Sequence, residues 1–244
     1  MCSLTYAAVI ALGSCAALMS QAQSTSSTSL DQPSIIRAKK TNPQDGLEYV
    51  WIKPGTYFTG CDHDDKECIG WERPRHAIVI DKGYWMGETE VTQAGLRTDH
   101  GHEPKSLQRS FAASRTGGLE QGLTYCTRTG MRLPTESEWE FGALGGSQQP
   151  RYGAVGTIAW YDANSADMTH DVGQKLPNPY GLFDMLGNVW EWVQDICEYD
   201  QNRRIMKGGS FYNLQKDLRV SNREAPISNL RHRNVGFRCV GDIR

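Results

Sequence analysis

Apolar residues stand in short groups between polar residues along the first half of the chain, a pattern that predicts β-strands joined by turns. The first group, Leu47–Ile52, contains β-branched and aromatic residues and stops at Pro54–Gly55, a pair typical of turns. Three later groups have the same character. The predicted strands are residues 47–52, 56–59, 76–80 and 84–86.

Two segments in the middle of the chain predict helices. Residues 120–129 are followed by Gly130, which suits the left-handed position just past a helix end. A second helix is predicted to begin after Thr135, because Thr135 is a natural N-cap and Glu138 completes a capping box.

Long stretches of the chain predict little regular structure. Residues 94–117 are predicted to be a loop, and residues 142–244 to contain short elements and turns. Loops of this extent need disulfides, ions or ligands to hold them.

The first 22 residues carry no charged side chain, and Leu4–Met19 is mostly apolar but short for a membrane span. Residues 1–22 therefore predict a signal peptide. Leu12–Cys15 also resembles a lipobox, in which case the signal ends before Cys15 and a lipid on that residue anchors the chain to a membrane. No Lys or Arg lies near Met1, which leaves open an apolar N-terminal helix of a cytosolic domain.

The remaining chain divides into a linker and one domain. Residues 23–46 are rich in Ser, Thr and Gln and predict a flexible linker, which leaves residues 47–244 for the folded domain. With 244 residues and a net charge of -2, the chain can bury a sizeable core but has no broad basic field. Nucleic acid is therefore not expected as a partner.

Five cysteines lie beyond the leader, which predicts two disulfides and one leftover thiol in an oxidising compartment. They are Cys61, Cys68, Cys126, Cys197 and Cys239. Cys61 and Cys68 flank a short polar loop that a disulfide can close. That loop holds four carboxylates and one His. A surface metal site is one interpretation, but a solvated acidic loop is favoured because neighbouring carboxylates repel.

Four segments carry a recognisable pattern. They are Arg73–His76 with Gly87–Thr92, Arg132–Glu140, Gly181–Trp192, and Gly208–Phe211 with Asn234–Arg238. Together and in order, they resemble the formylglycine-generating-enzyme (sulfatase-modifying-factor) family over about residues 47–240. The resemblance implies an α+β fold of the C-type-lectin-like kind, with small antiparallel sheets, two main helices and much ordered loop.

The resemblance also implies structural calcium. The matching positions are Asp184, Gly187, Val189 and Glu191. Their carboxylate and carbonyl oxygens suit a hard cation, whereas in the alternative interpretation the two carboxylates only bond backbone amides. A second calcium position of the family is matched by Asn164 and Ser165, but its other ligands fall in a loop that is deleted here.

The same resemblance implies a disulfide between Cys126 and Cys239. By chain entropy, such a long loop stabilises the fold by roughly 4 to 5 kcal/mol. Cys197 is then left unpaired, as a small buried hydrophobe.

The family's activity depends on two cysteines that lie after the Gly-Gly-Ser segment and bind copper(I). In this chain Asn213 takes the first position, and the second falls near Leu218. Neither side chain supplies a thiolate, so copper-dependent formylglycine generation is excluded and no copper is expected. The segment between Thr92 and Leu119 is also shortened, which predicts an incomplete peptide groove.

No residue is assigned a catalytic role. Ser210 lacks the strand–turn–helix context of a nucleophile, and arginines near the C-terminus allow either an anionic ligand or structural ion pairs. A candidate ligand cleft comprises Trp190, Ser210, Phe211, Asn213 and Arg219.

The chain is therefore predicted to be an exported member of the family that generates no formylglycine. Its expected role is a periplasmic binding or accessory protein, whose partner is another protein of the cell envelope. Examples are a partner or immunity protein for a secreted enzyme or toxin. The alternative is a periplasmic maturation enzyme with altered chemistry, as in siderophore (pyoverdine) maturation. Membrane contact is expected only through the lipid anchor.

Overall fold

The computed structural model describes residues 38–61, 66–72, 74–98, 118–227 and 232–242. The predicted signal peptide, the lipobox at Cys15 and most of the predicted linker lie outside the described residues. Most of the acidic loop between Cys61 and Cys68 lies outside them as well. Within the described ranges, no helix has the length and apolar character needed to span a membrane.

Regular structure consists of short strands and helices. The strands are β1 (Lys39–Thr41), β2 (Glu48–Ile52), β3 (Gly55–Thr59), β4 (His76–Ile80), β5 (Tyr84–Gly87), β6 (Trp190–Cys197), β7 (Asp200–Lys207), β8 (Arg223–Glu224), β9 (Val235–Gly236) and β10 (Val240–Gly241). The helices are α1 (Gln93–Thr98), α2 (Leu119–Arg128), α3 (Glu136–Leu144) and α4 (Val155–Ile158). This mixture confirms the predicted α+β class, and α2 and α3 are its two main helices.

The strands form two four-stranded sheets and one hairpin. The first sheet has the order β1-β2-β5-β10 and is antiparallel throughout. Strands β3 and β4 form the hairpin. The last sheet has the order β8-β7-β6-β9, with a parallel pair between β6 and β9. The four predicted strands correspond to β2, β3, β4 and β5.

The folded domain begins earlier than residue 47. Lys39–Thr41 pairs with Glu48–Val50 as strand β1. Asn42 is buried, and its side-chain amide donates to the carbonyl of Thr129 at 3.1 Å. The linker prediction is therefore wrong over residues 38–46. Composition hides this strand because β1 lies at a sheet edge, where polar and charged side chains are usual.

Both predicted helix signals are confirmed. Gly130 follows α2 with φ of 74°, the left-handed conformation that glycine favours. The hydroxyl of Thr135 accepts the N–H of Glu138 at 3.1 Å, and the carboxylate of Glu138 accepts the N–H of Thr135 at 2.8 Å. These two bonds form the capping box at the start of α3.

The predicted loop 94–117 begins as a helix instead. Strand β5 is followed by α1, at whose start the hydroxyl of Thr92 accepts the N–H of Gly95 at 3.1 Å. This cap starts a short helix, although the segment has little apolar periodicity.

Two apolar clusters pack on opposite sides of the strands. On β2, Tyr49 belongs to one cluster and Val50 to the other, because successive side chains of a strand point to opposite faces. Trp192 and Val193 divide in the same way on β6. The turn that leads into β6 is buried beside these clusters. Its polar groups therefore need hydrogen-bond partners within the protein.

Candidate metal centre and ligand surface

The turn just before β6 positions the predicted calcium ligands. Asp184, Gly187 and Asn188 have positive φ values of 53°, 81° and 57°. A Cβ at Gly187 would lie 2.3 Å from the carbonyl oxygen of Trp160, so only glycine fits. The N–H of Asn188 donates to that carbonyl at 2.8 Å, and the N–H of Gly187 donates to the carbonyl of Gly208 at 3.0 Å.

Glu191 is paired inside the protein. Nη2 of Arg238 donates to Oε1 of Glu191 at 2.6 Å, and Nε donates to Oε2 at 2.7 Å. The indole N–H of Trp139 also donates to Oε2, at 2.8 Å. Glu191 and Arg238 are both buried, so this pair neutralises two charges that could not be left single in the core.

Two more buried carboxylates interact with this pair, and each has an oxygen without a partner. Oδ1 of Asp184 and Oε2 of Glu90 accept no hydrogen bond among the described residues. The other oxygen of Asp184 accepts the N–H of Gly173 at 2.7 Å. The other oxygen of Glu90 accepts from the side-chain amide of Asn188 at 3.2 Å. Sequence reasoning missed Glu90, although it stands in the quoted segment Gly87–Thr92, because nothing local shows that it meets Asp184.

The electrostatics of these carboxylates favour a cation. Burial raises the pKa of Asp184 to about 6, and the charge of Glu191 adds to the effect. Burial, followed by repulsion from Asp184 and Glu191, raises the pKa of Glu90 well above its usual range. Arg238 and Lys175 supply two positive charges beside three acidic groups, so the site holds unbalanced negative charge whenever all three ionise.

The donors at the turn fit a hard cation that prefers oxygen ligands. Oδ1 of Asp184 is available, and in the described part of the chain the carbonyls of Gly187 and Val189 accept no hydrogen bond from neighbouring loops. The three carboxylates do not all offer an oxygen within 4.8 Å of one another. Backbone carbonyls would therefore supply the remaining ligands.

The residues of the second predicted calcium position lie in a hydrogen-bonded turn. Oδ1 of Asn164 accepts the N–H of Tyr161 at 2.8 Å, and its amide donates to the carbonyl of Ala159 at 3.0 Å. The carbonyl of Ser165 lies 2.8 Å from Nε2 of His170. These local bonds stabilise the turn and leave one lone pair on each oxygen, so a calcium ion at Asn164 and Ser165 stays a prediction.

Ser210 and Asn213 close a turn with each other. Oδ1 of Asn213 accepts from the N–H of Ser210 at 2.9 Å and from its hydroxyl at 2.8 Å. The side-chain amide of Asn234 donates to the same hydroxyl at 3.2 Å. The partners of the Ser210 hydroxyl are amide groups, which agrees with a turn residue rather than a nucleophile.

The other three residues of the predicted cleft do not form an accessible ligand surface. Trp190 and Phe211 are buried, and Arg219 is 2 % exposed. Nη1 and Nη2 of Arg219 donate to the two carboxylate oxygens of Glu72 at 2.6 and 2.7 Å. The cleft prediction is therefore wrong for these residues, because the guanidinium already has a buried partner from a distant part of the chain.

The structure contains both predicted disulfides. The Cα atoms of Cys61 and Cys68 are 6.2 Å apart, and those of Cys126 and Cys239 are 5.6 Å apart. Cys197 is free, but it is half-buried rather than buried. It lies on the wall of a surface groove beside the β6–β7 hairpin.

Comparison with known proteins shows the family to which the chain belongs. The protein-family model described as the sulfatase-modifying factor enzyme 1-like domain matches residues 36–243. The formylglycine-generating enzyme of Thermomonospora curvata is 30% identical over 242 residues, which cover 79% of this chain and 77% of that enzyme. The inactive C-alpha-formylglycine-generating enzyme 2 of Bos taurus is 33% identical over 137 residues, which cover 48% of this chain and 46% of that protein.

A longer protein shares the same region. The serine/threonine-protein kinase pkn1 of Chlamydia pneumoniae is 38% identical over 138 residues, which cover 49% of this chain and 22% of the kinase. The chain thus spans about a fifth of that relative's length.

Among solved structures, PvdO from Pseudomonas aeruginosa superposes with a TM-score of 0.75 at 21% identity, over 84% of this chain and 98% of that one. At this identity the likeness shows the fold alone.

Proposed function

Because the chain belongs to the sulfatase-modifying factor family, we propose that it generates no formylglycine and binds or assists another protein of the cell envelope. The replacement of the cysteine pair carries this proposal. Asn213 is held by hydrogen bonds to Ser210, and Leu218 is a fully buried apolar side chain. Neither supplies the thiolate that copper(I) selects.

The comparisons support a family member without that chemistry. The relative from Bos taurus is itself named inactive, although it covers only half of this chain. The likeness to PvdO concerns the fold, so it does not favour a maturation activity. The family fold is retained without the cysteine pair, and binding another protein is a function that such a fold can serve.

Export is part of the proposal. Two disulfides support it, because such bonds persist in oxidising compartments and are rare in the cytosol. The apolar leader predicted at residues 1–22 points to the same route.

Activity is tested on the purified protein with copper(I), oxygen and a cysteine peptide from a sulfatase. The formylglycine-generating enzyme of Thermomonospora curvata serves as the positive control. We expect no aldehyde product and no bound copper from this chain. An aldehyde product, or copper bound in a one-to-one ratio, would contradict the proposal.

The binding role is tested by affinity capture from a periplasmic extract, with the protein immobilised after oxidative refolding. We expect one envelope protein to be retained in near-stoichiometric amount and to be released by soluble competitor. Retention of no specific protein at any salt concentration would count against a binding role.

We further propose that the turn before β6 holds a structural calcium ion. Oδ1 of Asp184 and the carbonyls of Gly187 and Val189 would hold the ion. Glu191 would share an oxygen that already accepts from Arg238, and Glu90 adds a nearby carboxylate. The bound ion would supply positive charge to the buried acidic groups and so stabilise the turn. The unpartnered Oδ1 of Asp184 is the observation that supports this site.

Removal of calcium is expected to lower the melting temperature of the oxidised protein. At a calcium concentration of about 100 times Kd, binding stabilises by about 2.7 kcal/mol, or roughly 5–10 °C for a domain of this size. Asp184→Gly, which suits the positive φ of that position, should abolish the effect of chelator, whereas the exposed Asp162→Asn should keep it. An unchanged melting temperature of the wild type in chelator would disprove the site.

A further inference from the structure

A surface groove lies between the end of the β6–β7 hairpin and the segment that follows β8. It has a volume of about 810 Å³ and is separate from the carboxylates at the turn before β6. Three large apolar side chains on its wall are exposed: Tyr199 at 86%, Ile227 at 42% and Ile69 at 38%. Apolar groups grouped around a groove are typical of a surface that binds another molecule.

The cationic side chains of the groove are already paired. Arg223 binds both oxygens of Glu198 at 2.9 and 3.0 Å. Arg203 pairs with Asp200 at 3.2 Å and donates to the carbonyl of Ala225 at 2.9 Å. Both guanidinium groups are therefore balanced within the protein.

Two carboxylates of the groove, Asp217 and Glu224, remain without a cationic partner in the described part of the chain. Burial, and then repulsion from the nearby charge of Asp217, raises the pKa of Glu224. The groove thus combines an apolar wall with unbalanced negative charge, and the complementary ligand has a positive group beside apolar ones.

The backbone beside the groove offers a further contact. Strand β8 is the outermost strand of the sheet β8-β7-β6-β9, so one of its edges has no partner strand among the described residues. An extended peptide can pair with such an edge while its side chains enter neighbouring pockets. A small amine or a hydrated metal ion would use the carboxylates but not the apolar wall.

We propose that this groove binds an extended segment of a partner protein that carries an arginine or lysine side chain next to apolar residues. The inference rests on the proposed binding role and specifies the chemistry of the partner. Asp217 and Glu224 would pair with the basic side chain, and Tyr199 and Ile227 would cover its apolar neighbours.

The test selects displayed random nonapeptides on the oxidised full-length protein. Enriched peptides are expected to contain Arg or Lys flanked by apolar residues. One of them, synthesised with blocked ends, is then titrated against the wild type and the Asp217→Asn, Glu224→Gln double variant. We expect the double variant to bind roughly tenfold more weakly, because two charge pairs are lost. The control Asp81→Asn, Glu120→Gln removes one exposed Asp and one exposed Glu that do not line the groove and should bind as the wild type does.

The free thiol of Cys197 gives an independent readout of position. Cys197 lies on the groove wall, so the bound peptide should slow its alkylation by N-ethylmaleimide in proportion to occupancy. Glu224→Gln alone serves if the double variant fails to fold, since Asp217 accepts a backbone N–H from Leu214 at 3.3 Å.

Three results would overturn the groove as a peptide site. They are the absence of any enriched peptide, enrichment of peptides without a basic residue, and equal affinity of wild type and charge variants. Unchanged alkylation of Cys197 at saturating peptide would do the same. An envelope protein captured equally well by the double variant would leave the binding role standing and reject only the groove.

Discussion

Three buried cationic side chains in this protein form ion pairs with carboxylates from distant parts of the chain. Arg219 pairs with Glu72 across 147 residues, Lys207 with Glu140 across 67, and Arg238 with Glu191 across 47. A buried charge that loses its partner is costly, whereas an exposed one returns to water. Each of these cations therefore ties two segments that share no local structure.

Replacement of Arg219 by methionine should destabilise the protein strongly. The variant leaves the carboxylate of Glu72 buried without its guanidinium, which costs about 3–5 kcal/mol. Urea unfolding at pH 7, followed by tryptophan fluorescence, measures the loss. Arg203→Met is the matched control because its ion pair with Asp200 is largely exposed, and its midpoint should stay near that of the wild type. Equal losses in the two variants would show that burial of the pair is not the cause.

The elements themselves are short, and their ends carry much of the local information. Helix α3 begins at a reciprocal capping box, and Glu138 in that box also binds Arg132 through both oxygens at 2.6 Å. The cap and the ion pair thus fix the start of α3 beside the segment that leads from α2. This start positions Trp139, which donates to Glu191 at the candidate metal centre.

Thr135→Ala removes the side-chain acceptor of this cap. The expected loss of stability is about 1 kcal/mol, since the N–H of Glu138 loses its partner. Thermal unfolding by circular dichroism measures the change. Thr127→Ala, at an exposed position within α2, should leave the melting temperature nearly unchanged because alanine favours a helix. A larger effect at Thr127 than at Thr135 would contradict the cap as the source of stability.

Glu138 should also make stability depend on pH. Burial opposes its ionisation, but hydrogen bonds from Arg132 and Thr135 outweigh burial and lower its pKa from the ordinary 4.5. A lowered folded-state pKa stabilises above the unfolded value and loses that effect as pH falls through the folded value. The stability difference between wild type and Glu138→Gln should therefore be present at pH 7 and shrink below pH 4.5. Urea midpoints over this range measure it, and a difference that grows towards acid pH would refute the assignment.

For the molecule as a whole, the disulfides have unequal roles. Cys126 on α2 and Cys239 beside β10 are 113 residues apart, so their bond closes most of the C-terminal half of the domain. Cys61 and Cys68 are separated by 7 residues and close only a local loop. In the chain-entropy account, the longer loop restrains the unfolded chain more strongly.

Loss of the long disulfide should therefore cost more. The double variant Cys126→Ala, Cys239→Ala is expected to lose roughly 4–5 kcal/mol, and Cys61→Ala, Cys68→Ala roughly 2–3 kcal/mol. Urea unfolding of both variants beside the wild type gives the order. The reverse order, or equal losses, would show that loop length does not govern the contribution of these bonds.

Local features of the sequence determined much of the architecture. The strands β2 to β5, the capping box at Thr135 and the glycine after α2 follow from patterns within a few residues, because propensity and capping act over one or two turns. The four quoted segments likewise indicated the family and its fold. Short-range signals failed at β1, since an edge strand needs no apolar side and resembles a polar linker.

Tertiary structure alone decided which charges meet. Arg219 was expected in a ligand cleft, and only its approach to Glu72 across 147 residues shows that it is buried and paired. Glu90 joins Asp184 and Glu191 through the same kind of long-range packing, and the groove arises where the β6–β7 hairpin faces residues near β8. Pairing and burial depend on contacts between segments far apart in the chain, and a local pattern carries no information about such contacts.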